Sequence, residues 1–302
     1  MFRHLLVPLD GSAMSEGALS AAAQLASRTG AQLTLVHVIE KNAPSEVHSE
    51  RHLVGASEAG AYLEEVAHRP LLAGLRVVTH VHEVEVSDVA RSITEHAAEL
   101  APDLVVLSTH GRGSARRALF GAIGQQVIGL GDTPVLLLRT AEEGAEAATE
   151  LRWRSILVPI DGDPAHERAL PVAEDLGRSF AGRLDLLMVV PTIGALSGLQ
   201  AAASILLPNA MRAKLEIDSA SAFEHVRSQA RALAARGVQA TSEISRGDPA
   251  RAIVSFARKL SSDLVVMGTH GRAGTDAFWE GSVAARVISR TRVPLLLVPL
   301  RS

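Results

Sequence analysis

Two matching segments decide the fold: HLLVPLDGS at residues 4–12 and SILVPIDGD at residues 155–163. Each is a short apolar run that ends in Asp-Gly, the pattern of a buried strand followed by a tight turn. A second pair lies further along the chain, where DLVVLSTHGR at 103–112 recurs as DLVVMGTHGR at 263–272. Because both pairs occur in the same order, the sequence predicts a tandem repeat of one domain type.

The length of the chain fits two domains, since 302 residues are enough for two separate cores. We predict one domain at 1–140 and a second at 152–302, joined by a Glu/Ala-rich linker at 141–151. The second copy is the longer one. Its extra residues fall in an uncharged stretch around 191–211.

Apolar runs alternate with helical patterns in each copy. In the first copy, strands are predicted at Leu5–Leu9, Leu33–Val38, Arg76–His82, Leu104–Leu107 and Val135–Leu138. Helices are predicted between them, for example at Ser15–Arg28 and Val89–Leu100. Near-continuous Val/Leu strands separated by helices indicate a parallel sheet that is covered on both faces. The fold class expected is therefore α/β, with two doubly wound, Rossmann-like domains.

Composition excludes several function classes. With no cysteine, the chain has no disulfide or thiolate metal site, and it suits a reducing, cytoplasmic compartment. A net charge of −3, with only two Trp, one Tyr and six Phe, argues against a nucleic-acid partner. Asp10 comes too early for a signal peptide, and Pro191 and Pro208 interrupt the uncharged stretch. We therefore expect no membrane span, and interpret that stretch as an apolar surface or interface segment.

A glycine-rich segment follows the fourth strand of the second copy, GTHGRAGTDAFWEGS at residues 268–282. Gly268 and Gly271 let the backbone approach a ligand closely, and Gly281-Ser282 opens a predicted helix at Val283–Ser289. Free N–H groups at such a helix start favour phosphate, and Ser282 can donate its hydroxyl or cap the helix. No Gly-Lys-Ser/Thr occurs, so this is not a P-loop, and the dinucleotide fingerprint is missing as well. Plain turn chemistry remains an alternative.

The whole chain resembles a tandem member of the universal stress protein family. The motifs that carry the resemblance are VPLDGS, VPIDGD, Gly247-Asp248-Pro249, DLVVMGTHGR and the final VPLLLV at 293–298. The spacing Gly-x2-Gly-x9-Gly-Ser of Gly268, Gly271, Gly281 and Ser282 is similar to the ATP-binding signature of that family. The resemblance implies an internal pseudo-dimer in which the last strands, Val135–Leu138 and Leu295–Val298, mediate the pairing.

The resemblance also implies the ligand and its site. ATP is expected, with AMP or ADP as alternatives, together with Mg²⁺. The residues implied for this site in the second copy are Pro159, Asp161, Val189, Val190, Gly268, Gly271, Arg272, Gly281, Ser282 and Val283. A carboxylate at Asp161 accepts hydrogen bonds from ribose hydroxyls, although an Asx turn with Gly162 is an alternative role.

The first copy departs from the motif. Ser108 replaces the first glycine, Ala122 replaces the terminal hydroxyl, and Ser87-Asp88-Val89 replaces Gly-Asp-Pro. A side chain at position 108 stands where backbone would approach the ligand, and Ala122 removes a phosphate donor. We therefore predict a stronger site in the second copy. The weaker site implied in the first copy comprises Pro8, Asp10, Val38, Gly111 and Gly121.

Catalytic and metal chemistry have little support. No nucleophile–base pair stands out, and Ser12 is replaced by Asp163 in the second copy, so no catalytic residue is assigned. His48 with His52, and His80 with His82, would hold Zn²⁺ only if the fold brought the two pairs together; we expect no metal site.

Three functions remain open from the sequence. An ATP-binding stress or regulatory module is favoured over a slow ATPase or autophosphorylating enzyme and over a scaffold that binds a partner or another ligand. The expected partners are an adenine nucleotide, a second copy of the chain, giving a dimer of tandem chains, and a protein that the sequence does not identify.

Overall fold

A computed structural model describes most of the chain and divides it into two compact units. The described residues are 2–41, 46–47, 50–51, 53–109, 120–139, 151–164, 166–193, 202–203, 205–270 and 282–300. The first unit comprises Met1–Leu151, His270–Gly274 and Pro294–Ser302, and the second comprises Arg152–Thr269 and Thr275–Val293. The final strand thus groups with the first unit, whereas the predicted domain boundaries follow the sequence repeat and stay a prediction.

The first unit is a sheet covered by helices. Its strands are β1 (His4–Pro8), β2 (Gln32–Glu40), β5 (Arg76–Val86), β6 (Leu104–Thr109), β7 (Val135–Arg139) and β12 (Leu295–Leu300), with a small pair β3 (Glu46–Val47) and β4 (Glu50–Arg51) outside it. Its helices are α1 (Ala13–Glu16), α2 (Leu19–Thr29), α3 (Ala56–Ala67), α4 (Val89–Leu100) and α5 (Phe120–Leu130), with a 3-10 turn at Pro70–Leu72.

Strand order places a switch point at β1. The sheet runs β5-β2-β1-β6-β7, with all neighbours parallel, and β12 lies antiparallel to β7. The pairing of β7 with β12 joins the two final strands that the family resemblance pairs, with Leu296 opposite Leu136. Strand β2 lies on one side of β1 and β6 on the other, so the strand order reverses at β1. The carboxyl ends of β1, β2 and β6 therefore border the crevice in which doubly wound sheets bind ligands.

The predicted helix Ser15–Arg28 is in fact two helices. The first ends at Gly17, whose N–H bonds to the carbonyls of Ala13 and Met14, and α2 begins two residues later. The sequence pattern hid this break because Ala18 and Leu19 are buried, so apolar periodicity runs across it. The strands of the first copy lie where predicted, and the α/β fold class is confirmed.

The second unit repeats this plan. Its strands are β8 (Ser155–Ile160), β9 (Arg183–Val190), β10 (Ala240–Arg246) and β11 (Leu264–His270), parallel in the order β10-β9-β8-β11. Its helices are α6 (Ala169–Phe180), α7 (Pro208–Ala235), α8 (Pro249–Lys259) and α9 (Val283–Ile288), with a 3-10 turn at His166–Arg168.

The extra residues of the second copy lead into α7. This helix is 28 residues long, and its buried residues all lie in the second half, starting at Ala222. Ile205 and Leu206, just before it, are 81% and 78% exposed. Residues 194–201 and 204 of the uncharged stretch lie outside the described part of the chain. In the part that the structure describes, no helix combines the length and apolarity that crossing a membrane requires.

One tight contact anchors the start of the second unit. Trp153 is buried at 1% exposure, packs 4.6 Å from the Phe180 ring and adopts a left-handed backbone with φ of 37°. Gly182 lies directly against it, because a Cβ at that position would be 2.2 Å from the Trp153 carbonyl oxygen. Only glycine allows this close approach between the end of α6 and the strand that enters the unit.

Glu16 ties α1 to the end of α3. Its carboxylate accepts hydrogen bonds from the Tyr62 hydroxyl at 2.9 Å and from Arg69 Nη1 at 2.6 Å. Burial, followed by the charge of Glu16, raises the pKa of Tyr62 far above its ordinary value, so the phenol stays a donor.

We expect Glu16→Gln to lower the free energy of unfolding by about 1–2 kcal/mol, since it removes charge-assisted bonds to two partners. Urea denaturation of the full chain measures this. Glu65→Gln is the matched control, because Glu65 is 72% exposed and only 3.4 Å from the same Arg69. Equal losses from both variants would contradict the assigned role of Glu16.

Candidate functional site

A cleft opens in the first unit at the carboxyl ends of β1, β2 and β6. It encloses about 610 Å³, counting space open to solvent. Its lining residues are Pro8, Leu9, Asp10, Met14, Ser15, Val36, Val38, Val89, Ile93, Leu107, Ser108, Thr109, Ile123 and Gly124. The cleft therefore occupies the switch point of the sheet and has largely apolar walls.

The Asp-Gly turns at the ends of β1 and β8 share one geometry. Asp10 Oδ1 accepts the Ser12 amide at 3.0 Å, and Asp161 Oδ1 accepts the Asp163 amide at 3.0 Å. Both aspartates thus form an Asx turn, which is the alternative role that the sequence left open for Asp161. The turn also requires glycine at the next position, because the backbone there is left-handed, with φ of 89° at Gly11 and 84° at Gly162. Each carboxylate is thereby fixed at a strand end.

Ser108 closes part of the cleft wall in the first unit. Its hydroxyl donates to the carbonyl oxygen of Met14, which joins the end of β6 to α1. Both residues line the cleft. At the corresponding point of β11 the second copy has Gly268, which carries no side chain and so cannot make this link.

In the second unit, the predicted residues lie at three neighbouring strand ends and at the start of a helix. Pro159 and Asp161 are at the end of β8, and Val189 and Val190 end the adjacent strand β9. Gly268 lies in β11, which pairs with β8 on its other side. The structure therefore aligns these positions along one edge of a sheet.

Ser282 begins α9, with Val283 as its first residue. The Ser282 side chain accepts the Ala285 amide at 3.1 Å and so caps the helix. A capping oxygen uses only its acceptor capacity, which leaves the hydroxyl proton available for donation. Both roles considered for Ser282 are thus compatible.

Several predicted positions lie outside what the structure describes. Gly271, Arg272 and Gly281 of the second copy and Gly111 of the first belong to residues 271–281 and 110–119. Gly121 is in α5, where the backbone is described. The glycine-motif loops themselves therefore stay predictions.

An ion-pair cluster distinguishes the second unit from the first. Asp248 caps α8 by accepting the Arg251 amide at 2.9 Å, and it also binds Arg286 Nη1 of α9 at 2.5 Å. Burial raises the pKa of Asp248, but the Arg251 amide and the Arg286 guanidinium outweigh it, so the pKa lies below its usual range. In the first unit Asp88 caps α4 in the same way, whereas α5 has Gln126 in place of Arg286.

Sequence reasoning missed much of the cleft wall. Val89 and Ile93 line it from α4, and Val36 lines it from β2. A signal was present, because Val89 and Ile93 are four residues apart on a predicted helix that follows the Ser-Asp segment. Apolar spacing alone, however, does not separate a residue that faces a cleft from one that faces a core.

One of the two histidine pairs lies in the part of the chain that the structure describes. His48 and His52 lie outside the described residues, and His80 and His82 contact His96 of α4 instead. Among the described residues, no group of three His, Cys, Asp or Glu side chains is arranged to hold a metal ion.

Comparison with known proteins agrees with the fold and the repeat. The model of the universal stress protein family matches twice, at residues 1–139 and 152–299. A universal stress protein of Mycolicibacterium smegmatis is 25% identical over 310 residues, which covers 97% of this chain and 96% of the relative. A universal stress protein of Methanocaldococcus jannaschii is 32% identical over 146 residues, which covers 48% of this chain and 82% of that relative.

Solved structures show the same architecture. The crystal structure of a universal stress protein from Archaeoglobus fulgidus superposes with a TM-score of 0.71 at 18% identity, covering 98% of this chain and 96% of that one. At that identity the likeness shows the fold alone, while the family model spans nearly the whole sequence in two copies. The chain therefore belongs to the universal stress protein family, as a tandem two-domain member.

Proposed function

We propose that this protein is a nucleotide-binding stress or regulatory module that binds ATP mainly in its second unit. The observation that carries the proposal is the alignment of Asp161, Val190 and Gly268 at three neighbouring strands of the second unit, together with the glycine motif that runs from Gly268 to Ser282. Amide N–H groups and a hydroxyl are donors suited to phosphate oxygens, and the glycines before them leave room for close approach.

The difference between the copies supports the second unit as the stronger site. Ala122 replaces Ser282 and removes a hydroxyl donor, and Ser108 replaces Gly268 and links β6 to α1. The Asp248–Arg286 ion pair fixes α9 against α8 in the second unit alone, among the described residues. A phosphate-binding helix start needs a fixed orientation, because hydrogen bonds to phosphate weaken steeply with misalignment.

The adenosine part of ATP has a fitting environment at the strand ends. Pro159, Val189 and Val190 offer apolar contacts for a purine, and Asp161 offers an acceptor for ribose hydroxyls. The corresponding cleft of the first unit has the same kinds of group in Val38 and Asp10. We propose that it binds adenosine compounds weakly, with Mg²⁺ accompanying ATP in the stronger site.

The first experiment is to release and count small molecules from freshly purified protein. Heating the protein and separating the supernatant by chromatography should give ATP, or a product of it, at one molecule per chain. Two nucleotides per chain would show that Ser108 and Ala122 are tolerated and would contradict the asymmetry. No nucleotide, together with no heat signal on adding Mg-ATP, would overturn nucleotide binding. Incubation with added ATP separates binding from hydrolysis, because only an ATPase accumulates ADP with time.

A further inference from the structure

Three histidine rings pack together between the edge strand β5 and helix α4. The His80 and His82 rings lie with their centroids 4.7 and 4.9 Å from that of His96. His96 Nε2 is 3.0 Å from His82 Nδ1, so one of the two nitrogens donates to the other. His96 is only 6% exposed. This histidine cluster is therefore a polar contact with a buried centre, His96, and two partly exposed partners on the edge strand.

The surroundings of His96 favour an uncharged imidazole. His80 Nε2 is buried and makes no hydrogen bond. Glu99 on α4 lies 3.3 Å from His96 Nδ1, but its side chain is 70% exposed, so solvent screens its charge. The strand beside β5 contributes Val36 and Val38, and α5, which packs on α4, has no ionisable residue. A proton on one ring would thus sit beside two other imidazoles with one screened counter-charge.

The cluster lies directly behind the wall of the cleft. His80 and His82 are the register partners of Val36 and Val38 across the β2–β5 pair, and both valines line the cleft. On α4, Ile93 lines the cleft one turn before His96. The histidine cluster therefore joins α4 to β5 right beside the cleft, next to the residues of α4 and β2 that line it.

We propose that the histidine cluster is a proton-sensitive contact, and that its protonation releases α4 from β5 and loosens the cleft of the first unit. Protonation converts a hydrogen-bonded neutral group into one with like charges at close distance, and it adds the cost of a buried charge. The rest of the α4–β5 contact compensates little, since β5 is an edge strand with partly exposed side chains, while the packing of α4 on α5 and β2 keeps the helix within the unit. This goes beyond nucleotide binding and holds whatever ligand occupies the cleft.

The direction of the pH dependence follows from the burial of His96. Burial, followed by the charges of His80 and His82, lowers the pKa of His96 below its ordinary 6.5, while Glu99 raises it by less. The unfolded segment therefore binds the proton more tightly than the folded one. The contact is fully stable above pH 6.5, weakens as the pH falls through that value, and reaches its minimum below the folded pKa.

The second unit supplies an internal control. By register and by the sequence repeat, its residues at the three positions are Glu243, Ser245 and Phe256, so no histidine cluster forms there. Helix α8 thus corresponds to α4 in position and lacks the imidazoles. His96→Phe places the residue of the second copy in the first and removes the central ring.

Hydrogen exchange of the full chain at pH 7.5 and pH 5.5 tests the proposal without any ligand. After correction for the intrinsic exchange rate, amides in the first turns of α4, which carry Val89 and Ile93, should open about tenfold more at pH 5.5, and those of α8 should not. In His96→Phe the extra opening of α4 should disappear.

Two results would overturn the proposal: the same pH response in α4 and α8, or an unchanged response of α4 in His96→Phe. If that variant does not fold, His82→Leu replaces it, since leucine has no atom that can bond to His96 Nε2 and the buried face of α4 stays intact; an unchanged response of α4 in His82→Leu would overturn the proposal as well. Because exchange is measured without nucleotide, these results do not depend on whether ATP binds.

Discussion

Gly182→Ala should lower the free energy of unfolding of the second unit by about 3–4 kcal/mol, the largest stability loss that we expect from a single methyl group. The new Cβ would lie 2.2 Å from the carbonyl oxygen of Trp153, and that atom belongs to backbone rather than to a side chain that can turn away. Trp153 cannot shift easily either, because it is buried and already holds a left-handed conformation. Relief of the clash must therefore separate α6 from the first strand of the unit.

Urea denaturation followed by tryptophan fluorescence measures this effect, since the Trp153 ring reports on the affected contact. Gly60→Ala is the matched control. Gly60 lies inside α3, and a Cβ there would meet no atom within 4 Å, so the same substitution should stabilise the chain by about 0.5–1 kcal/mol. A Gly182→Ala variant as stable as the natural protein would show that the two backbone segments separate without cost.

Gly268→Ser should weaken ATP binding by about a hundredfold, the largest functional effect that we expect. It gives the second copy the residue that the first copy has at position 108. The Ser108 hydroxyl bonds to the Met14 carbonyl and occupies the cleft wall, and a serine at 268 would place the same atoms where the proposed site needs bare backbone. Isothermal titration with Mg-ATP on both proteins gives the ratio of dissociation constants.

Adenosine provides the control ligand for this variant. We assign Gly268 to the phosphate side of the proposed site, since it opens the glycine motif that ends at Ser282. Gly268→Ser should therefore weaken adenosine binding much less than ATP binding. The reverse substitution, Ser108→Gly, should strengthen ATP binding by the first unit only slightly, since Ala122 still lacks a hydroxyl. Unchanged ATP affinity in Gly268→Ser would refute the assignment of this glycine to the site.

The fold was predictable because its signal is repeated. Each strand of the parallel sheet is an apolar run such as Leu104–Leu107, and a second copy of the same pattern in DLVVMGTHGR removes the ambiguity between a strand and a buried helix. The break at Gly17 was not predictable, because a single glycine followed by the buried Ala18 and Leu19 fits a continuous helix equally well.

The strand ends of the candidate site could be predicted from the sequence, but the contacts between segments that are distant along the chain could not. Asp10 and Asp161 follow a strand and precede a glycine, so their positions can be inferred from local pattern. The Asp248–Arg286 pair and the contact of His96 with His80 and His82 join segments that are distant along the chain. Which residues pair in these contacts depends on how two helices or strands face each other. The periodicity of the sequence within one helix or strand carries no information about that.

The strand β12 gives the first unit an unusual order of assembly during synthesis. The ribosome adds residues 294–300 only after every segment of the second unit has been made. Until then β7 is an open edge with an apolar sequence, whose N–H and C=O groups lack a partner on that side. The unit that is translated first is therefore completed last. A nascent chain halted at the linker would expose β7 as an unpaired edge strand, which can pair with other chains, whereas β12 covers it in the finished protein.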